Sequence, residues 1–199
     1  MGIKRSFDII CALCGLIILS PVLLLIIVLI KLTSTGPVFF RQTRVGQYEK
    51  LFQIHKFRTM IVNAEASGLK IKVGRDLRIT SIGHFLRKTK LDELPQLIDV
   101  LMGTMSLVGP RPEVPEYVQY YTNEVKAIVL SVRPGITDWA SIKMIDENDI
   151  LARASDPQQA YIQQILPEKL AYAVRYVQTR SLRLDVYLIL LTISKIFTR

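Results

Sequence analysis

From Ile9 to Ile30 the chain runs 22 residues without a charged side chain, between Asp8 and Lys31. A helix of that length can cross the ~30 Å apolar core of a bilayer. The run is long for a signal peptide, and no small-x-small cleavage pattern follows it, so a retained helix is expected. Ser20-Pro21 falls in its middle. Proline lacks the N–H of a helical hydrogen bond and clashes with the preceding turn, which favours a kink. In lipid the freed carbonyl needs a partner, and the Ser20 hydroxyl is the candidate. Lys4 and Arg5 precede the run, and Lys31, Arg41 and Arg44 follow it. With cations on both flanks, the positive-inside rule gives no direction. A helix that enters, breaks at Ser20-Pro21 and returns keeps every one of these cations on the cytoplasmic side. We expect this re-entrant arrangement; an ordinary kinked anchor is the alternative. Residues 1–35 then form the membrane helix and residues 36–199 a cytoplasmic domain.

Charge divides the chain as sharply as hydropathy does. Of the net +9, the segment through Lys90 carries 15 Lys and Arg against 4 Asp and Glu, whereas the remainder carries 11 against 13. Such asymmetry suits anionic lipid headgroups, phosphorylated substrates or nucleic acid. The two cysteines, Cys11 and Cys14, lie inside the apolar run. They make no disulfide framework and read as small packing residues in a reducing compartment.

Within this basic context stands Lys90-Leu91-Asp92-Glu93-Leu94-Pro95-Gln96, two adjacent carboxylates beside Arg87, Lys88 and Lys90. Acids ringed by fixed cations point to a place where a phosphate meets a nucleophile or a metal ion. The alternative is structural: Asp92 capping a helix over 92–102, with Glu93 in its first turn. Either way both acids should be ionised, which suits a nucleophile or metal ligand better than a general acid. Gly109-Pro110-Arg111-Pro112 follows, and prolines on both sides restrict the backbone around Arg111. A rigidly held arginine suits bidentate phosphate recognition.

The remaining elements predict an α-rich α/β protein. Val38–Val45 and Leu51–Met60 read as a β-hairpin around Gly46–Glu49. On the second strand Lys56 and Arg58 should share a face, either as a phosphate clamp or as a solvated surface. Residues 61–80 read as loop, Ser81–Lys90 as a short helix, and Pro115–Ser131 as a helix with an apolar stripe. His55 and His84 have no metal-site spacing. Trp139 stacks on a base or simply packs. An acidic helix over 146–154 precedes an amphipathic one over 161–179, broken near Pro167. Leu182–Phe197 is short for a span and suits a helix on the membrane surface, or a core helix.

Taken together, five pieces resemble the bacterial sugar transferases, the monotopic phosphoglycosyl transferases. They are the Ser20-Pro21 break, Lys56-Phe57-Arg58-Thr59-Met60, Leu91-Asp92-Glu93-Leu94-Pro95-Gln96-Leu97, Met105–Pro112, and Val132-Arg133-Pro134-Gly135-Ile136-Thr137. Their order and spacing match along nearly the whole chain. The resemblance implies a polyprenyl-phosphate hexose-1-phosphate transferase at the cytoplasmic face of the bacterial inner membrane. A UDP-sugar would give its sugar 1-phosphate to undecaprenyl phosphate, with loss of UMP. It further implies Asp92 as the nucleophile, Glu93 as a ligand of Mg²⁺, and Arg87 and Arg111 on phosphate oxygens, with Lys56 and Arg58 as weaker candidates. Membrane lipids are implied partners, nucleic acid is not, and a homodimer is compatible with the pattern.

The sequence departs from the family pattern in places. Gly103-Thr104-Met105-Ser106 stands where the family commonly reads Gly-Asp-Met-Ser. Asp138 and Ser141 stand where it commonly has Gly and Gln, and Lys143–Asp149 replaces the familiar Asn-Gly-Arg. These changes spare the acid pair and Arg111 and leave the sugar open. A membrane-tethered basic adaptor or nucleic-acid-binding protein is the contrasting reading, but no recognised nucleic-acid motif occurs and the cations cluster around carboxylates.

Overall fold

The computed structural model describes residues 2–62, 78–144 and 147–198. The loop expected over 61–80 therefore lies largely outside the described residues; at its edges Met60 bridges Ile79.

Helix α1 spans Ile3–Thr33 and continues through Pro21 as one element. The proline ring removes the donor that would have reached Ile17 O, and Ser20 Oγ donates to that carbonyl instead, at 2.8 Å. One face of α1 packs on the rest of the chain along its length. Ala12, with Leu16, lies against Ile54, Leu97, Val100 and Met105. Two turns past Pro21, Ile26 and Ile30 lie against Phe57 and Leu86. The opposite face, with Ile10, Ile17, Ile18, Leu24 and Leu25, is exposed. A contiguous apolar surface of this size marks a contact with lipid or protein. This helix is also long and apolar enough to cross a membrane.

Polar contacts fasten both ends of α1. At its start, Lys4 Nζ reaches Asp185 Oδ2 at 2.6 Å and Arg5 donates to the carbonyls of Val100 and Leu101 at 2.6 and 3.1 Å. Buried Asp8 accepts from Ser106 Oγ at 2.8 Å. At its end, Arg58 donates to Thr35 O at 2.6 Å and to Ser34 O and Oγ at 2.9 and 2.7 Å. These bonds hold the backbone just past the last helical residue, Thr33. Gly36 allows the approach: its φ is +110°, and a Cβ there would lie 2.2 Å from an Arg58 nitrogen.

The hairpin forms as expected but is shorter on its second arm: β1 (Phe39–Val45) pairs antiparallel with β2 (Leu51–Phe57), from Phe39 opposite Phe57 to Val45 opposite Leu51. Helix α2 (Ser81–Lys88) is capped by Thr80, whose Oγ1 accepts from Gly83 N at 3.0 Å. A 3₁₀ turn, Leu91–Glu93, leads to α3 (Gln96–Met102). Strand β3 (Ser106–Val108) runs parallel to β4 (Gly135–Thr137). Between them the single helix expected over 115–131 is two, α4 (Pro115–Val118) and α5 (Asn123–Val129). Thr122 divides them because its hydroxyl caps α5.

The C-terminal part is helical. α6 (Trp139–Lys143), α7 (Glu147–Arg153) and α8 (Pro157–Ala160) are short. A π turn at Tyr161–Ile165 runs directly into α9 (Leu166–Thr179). Pro167 does not end the helical run; it falls where the π turn gives way to α9, and that widened turn accommodates the residue without an N–H. Finally α10 (Leu182–Phe197) buries Leu188 against Val108, Ile142 and Tyr176. Its other side exposes Val186, Tyr187, Leu190 and Ile193. Core helix and apolar surface helix are therefore two faces of one element.

Candidate active site

The acid pair does not begin a helix. Lys90 adopts a left-handed conformation, φ 59°, and starts the 3₁₀ turn that carries Asp92 and Glu93. α3 begins only at Gln96, with Pro95 before it and no side-chain cap. The helix cap that the alternative reading assigned to Asp92 is thus absent. A non-glycine residue at positive φ beside two carboxylates is the kind of local strain that the surrounding structure must hold in place.

Glu93 is the hub. Lys56, from β2, donates to Glu93 Oε1 at 2.7 Å. Arg111, from the loop after β3, forks onto both oxygens, with NH1 3.2 Å from Oε2 and NH2 on Oε1. Burial opposes ionisation of Glu93, but Arg111 and Lys56 outweigh it and hold the carboxyl well below the usual range. Burial also pushes Lys56 down, partly offset by Glu93. Arg111 is held more firmly charged, chiefly by Glu93 and further by Asp138 and Asp92. Asp92 therefore lies within the field of the same arginine.

Backbone packing places Arg111. Gly109 and Gly135 face each other across the parallel pair β3 and β4. A Cβ on Gly135 would stand 2.1 Å from Gly109 N, so the strands meet only because neither residue has one. Behind the loop, Glu113 accepts from Tyr161 OH at 2.6 Å and Arg44 donates to Pro112 O at 3.0 Å. Burial and Glu113 drive the Tyr161 hydroxyl far above its ordinary value, so it remains a donor.

The other expected site residues separate. Arg87 Nε donates to Thr59 Oγ1 at 2.8 Å, on the α2 side of the acid turn. Arg58 does not join Glu93. Its backbone N–H still pairs with Val38 O at 2.8 Å just past the end of β2, but its guanidinium reaches the end of α1. Trp139 packs against Tyr187, with ring centroids 6.1 Å apart. His84 is exposed.

One positioning pair was not read from the sequence. His55 N donates to Asp99 Oδ2 at 2.9 Å, and His55 Nδ1 lies 2.7 Å from Asp99 Oδ1. This buried contact ties β2 to α3 at the residue next to Lys56. The sequence did carry a sign of it: Asp99 interrupts the apolar stretch Leu97–Leu101, and a buried carboxylate needs a partner.

A cavity of about 180 Å³ opens beside Glu93 and Arg111. Among the described residues there is no cluster of three or more acidic, His or Cys side chains that could cage a metal. The donor set still fits a hard cation that arrives with a substrate, since Mg²⁺ is ordinarily held by one or two carboxylates together with substrate phosphates. Glu93 is ionised and borders the cavity, which suits that limited role.

An apolar helix exposed along one face, beside a carboxylate held by two buried cations, suits a membrane-associated protein. Comparison with known proteins makes this specific. The family model described as bacterial sugar transferase matches residues 1–199. The chain is 39% identical over 198 residues to the UDP-N-acetylgalactosamine-undecaprenyl-phosphate N-acetylgalactosaminephosphotransferase of Aeromonas hydrophila, covering 98% of this chain and 44% of that protein. It is 37% identical over 198 residues to the UDP-glucose:undecaprenyl-phosphate glucose-1-phosphate transferase of Escherichia coli K12, covering 98% and 40%. An uncharacterized sugar transferase of Bacillus subtilis, EpsL, is 37% identical over 196 residues, covering 98% and 88%. The chain belongs to the bacterial sugar transferase family. It spans about two fifths of the length of the first two relatives.

Proposed function

We propose that this chain transfers a sugar 1-phosphate from a UDP-sugar to a polyprenyl phosphate such as undecaprenyl phosphate, releasing UMP, through a covalent aspartyl-phosphosugar intermediate. The observation that carries the reading is the convergence of Lys56 and Arg111 on Glu93, next to Asp92, in a chain of this family. The names of its relatives, undecaprenyl-phosphate sugar-phosphate transferases, support the two substrates.

In this mechanism an Asp92 oxygen attacks the phosphorus that bears the sugar. The bond from that phosphorus to the bridging oxygen breaks, and its electrons leave with UMP. An oxygen of the polyprenyl phosphate then attacks the aspartyl-phosphosugar, which frees the Asp92 carboxylate and completes the diphosphate. Covalent catalysis divides one difficult displacement into two easier ones. Each step brings anions together, so fixed positive charge is the main requirement. Arg111 and Lys56 supply it from inside the protein, and Arg87 adds to it from α2. Glu93 keeps Arg111 and Lys56 in place and would be the protein ligand of Mg²⁺. When bound, Mg²⁺ neutralises charge on the diphosphate and on the departing UMP.

The site works at a membrane surface. Both ends of α1 are fastened to one body, at Lys4–Asp185 and at Arg58–Ser34. A helix crossing the bilayer would carry one end away from that body. The fastening therefore supports a monotopic, re-entrant α1, with the catalytic domain at the cytoplasmic face of the bacterial inner membrane. There a soluble nucleotide and a lipid phosphate both have access.

The test is incubation of the purified protein with UDP-sugars, Mg²⁺ and undecaprenyl phosphate, with UMP release as the readout. Wild type should release UMP and Asp92→Asn should not. Full activity of Asp92→Asn removes the covalent mechanism.

A further inference from the structure

The cavity beside Glu93 has a wall that the mechanism does not use. Thr192, Lys195 and Ile196, in the last turns of α10, line it opposite the acid turn. Two polar contacts fix this wall. Lys195 Nζ donates to Ile142 O at 3.0 Å. Thr192 Oγ1 donates to Leu188 O at 2.8 Å and lies 2.5 Å from Thr137 Oγ1. A hydroxyl has one proton, so Thr137 is the donor in the second contact. The end of α10 is thereby held to α6 and to β4, which also packs against the Arg111 loop through Gly135.

The lining has a particular chemistry. Leu94, Leu97, Ile136, Ile142 and Ile196 make it apolar, while Lys88, Lys90, Arg111 and Lys195 stand against one carboxylate, Glu93. Lys195 differs from the lysines that pair with acids elsewhere, such as Lys4 with Asp185 or Lys169 with Glu147. Among the described residues no carboxylate lies within ion-pair distance of it, and a carbonyl leaves its charge uncompensated. The occupant that matches is an anion with an apolar body. A nucleotide-sugar is polar at both ends and leaves the apolar walls unmatched. The direction of α10 points the same way, because Leu190 and Ile193 continue an exposed apolar face along the helix from this wall.

We propose that the end of α10 builds the acceptor subsite: Lys195 binds the phosphate of the polyprenyl phosphate, and Ile196, Ile136 and Ile142 take its first isoprene units. This rests on the proposed reaction and assigns which wall of the site recognises the lipid.

The experiment uses the full chain in detergent micelles. Steady-state KM values for UDP-sugar and for polyprenyl phosphate are measured for wild type, Lys195→Met, Lys195→Arg and Ile196→Asp. Loss of one charge-assisted hydrogen bond to phosphate should raise the acceptor KM of Lys195→Met about tenfold. The donor KM and the acceptor-free burst of UMP should be unchanged. Lys195→Arg should restore most of the loss. Ile196→Asp, at a partly exposed position, should raise the acceptor KM without touching the cation. A rise in donor KM alone assigns the cavity to the nucleotide-sugar and overturns the proposal, as does no change in either constant. Binding of farnesyl phosphate, inorganic phosphate and UDP is measured in parallel. Farnesyl phosphate should bind wild type more tightly than Lys195→Met, with little difference for the other two. Equal loss of inorganic phosphate would mean an unspecific phosphate site. If wild type releases no UMP from any donor, the reaction reading fails, and the farnesyl phosphate measurement still decides the subsite.

Discussion

Arg111 holds Glu93 from across the site: its NH1 donates to Glu93 Oε2 at 3.2 Å while NH2 takes Oε1, which Lys56 shares at 2.7 Å. One carboxylate thus screens two cations that would repel each other if left alone, and the trio keeps one net positive charge. Glu93→Gln keeps the shape and removes the charge. Removing one partner of a buried ion pair costs about 3–5 kcal/mol. A fall of that order is expected in thermal or denaturant unfolding, together with at least a hundredfold loss of UMP release. Arg111→Lys should retain more stability yet lose most activity, because an ammonium cannot reproduce the fork.

The same pair gives the acid limb of stability a defined sign. Glu93 is held well below the ordinary glutamate value of 4.5 by Arg111 and Lys56 against the cost of burial. Folding therefore favours its ionised form, and the stabilisation is fully present above pH 4.5. It is lost as pH falls through the folded-state value. Melting temperatures of wild type and Glu93→Gln, measured from pH 7 down to pH 3, should converge toward the acid end. A gap that stays constant would mean that Glu93 is not the titrating group.

Gly135 offers a way to disturb Arg111 without touching charge. A methyl group at Gly135 would stand 2.1 Å from Gly109 N and 2.5 Å from Gly109 O, both backbone atoms with little room to yield. Gly135→Ala should separate β4 from the loop after β3 and displace Arg111 from Glu93. About 2 kcal/mol of destabilisation, roughly 4–8 °C in Tm for a chain of this size, is expected. The loss of UMP release should exceed what the lost stability explains, since positioning errors near 1 Å cost about a hundredfold.

How much of this was legible in the sequence depends on sequence distance. Asp92 and Glu93 are neighbours, so the acid pair and its basic surroundings could be read directly, while the roles proposed for the two residues came from the family resemblance. The partner of Pro21's orphaned carbonyl could be read as well, because Ser20 lies three residues from Ile17. Lys56 was found but not its meeting with Glu93, 37 residues away, since that contact is set by how the hairpin docks on α3. Arg58 was read as a weaker phosphate candidate, and its guanidinium instead reaches Ser34 and Thr35, a contact that strand spacing does not show. The helical stretch expected over 92–102 is divided for a local reason: Pro95 has no N–H to give, and Leu91–Glu93 closes as a 3₁₀ turn before α3 begins at Gln96. Lys4–Asp185 joins positions 181 residues apart and left no trace in spacing. Asp185 showed only as a charge interrupting an apolar helix.

The reassignment of Arg58 has a measurable consequence. Its guanidinium satisfies Ser34 and Thr35 carbonyls at the end of α1, and the side chain is buried. Arg58→Ala leaves those acceptors unpaired and should cost about 2–3 kcal/mol. If Arg58 instead clamped substrate phosphate, the variant would raise the donor KM. The expected result is a lower Tm with the donor KM of the folded protein unchanged.

The fastening of α1 at both ends decides its topology in an experiment that needs no activity. Gly2 precedes the helix and Leu32 lies in its last turn, and both are exposed. With Cys11 and Cys14 replaced by alanine, Gly2→Cys and Leu32→Cys each report one end. Lys4 and Arg5 tie the first end to Asp185 and to the Val100 and Leu101 carbonyls, and Arg58 ties the second to Ser34 and Thr35. Because these partners belong to one body, both cysteines should react with a membrane-impermeant maleimide only when the cytoplasmic side is open. Reaction of the two positions from opposite sides would require one set of ties to be broken in the membrane, and the re-entrant reading would fall. Asp185→Leu sharpens the test: it removes the nearer of the two carboxylates Lys4 reaches and leaves only Asp8 at 3.9 Å, so the Gly2 end should loosen and label faster from the same side.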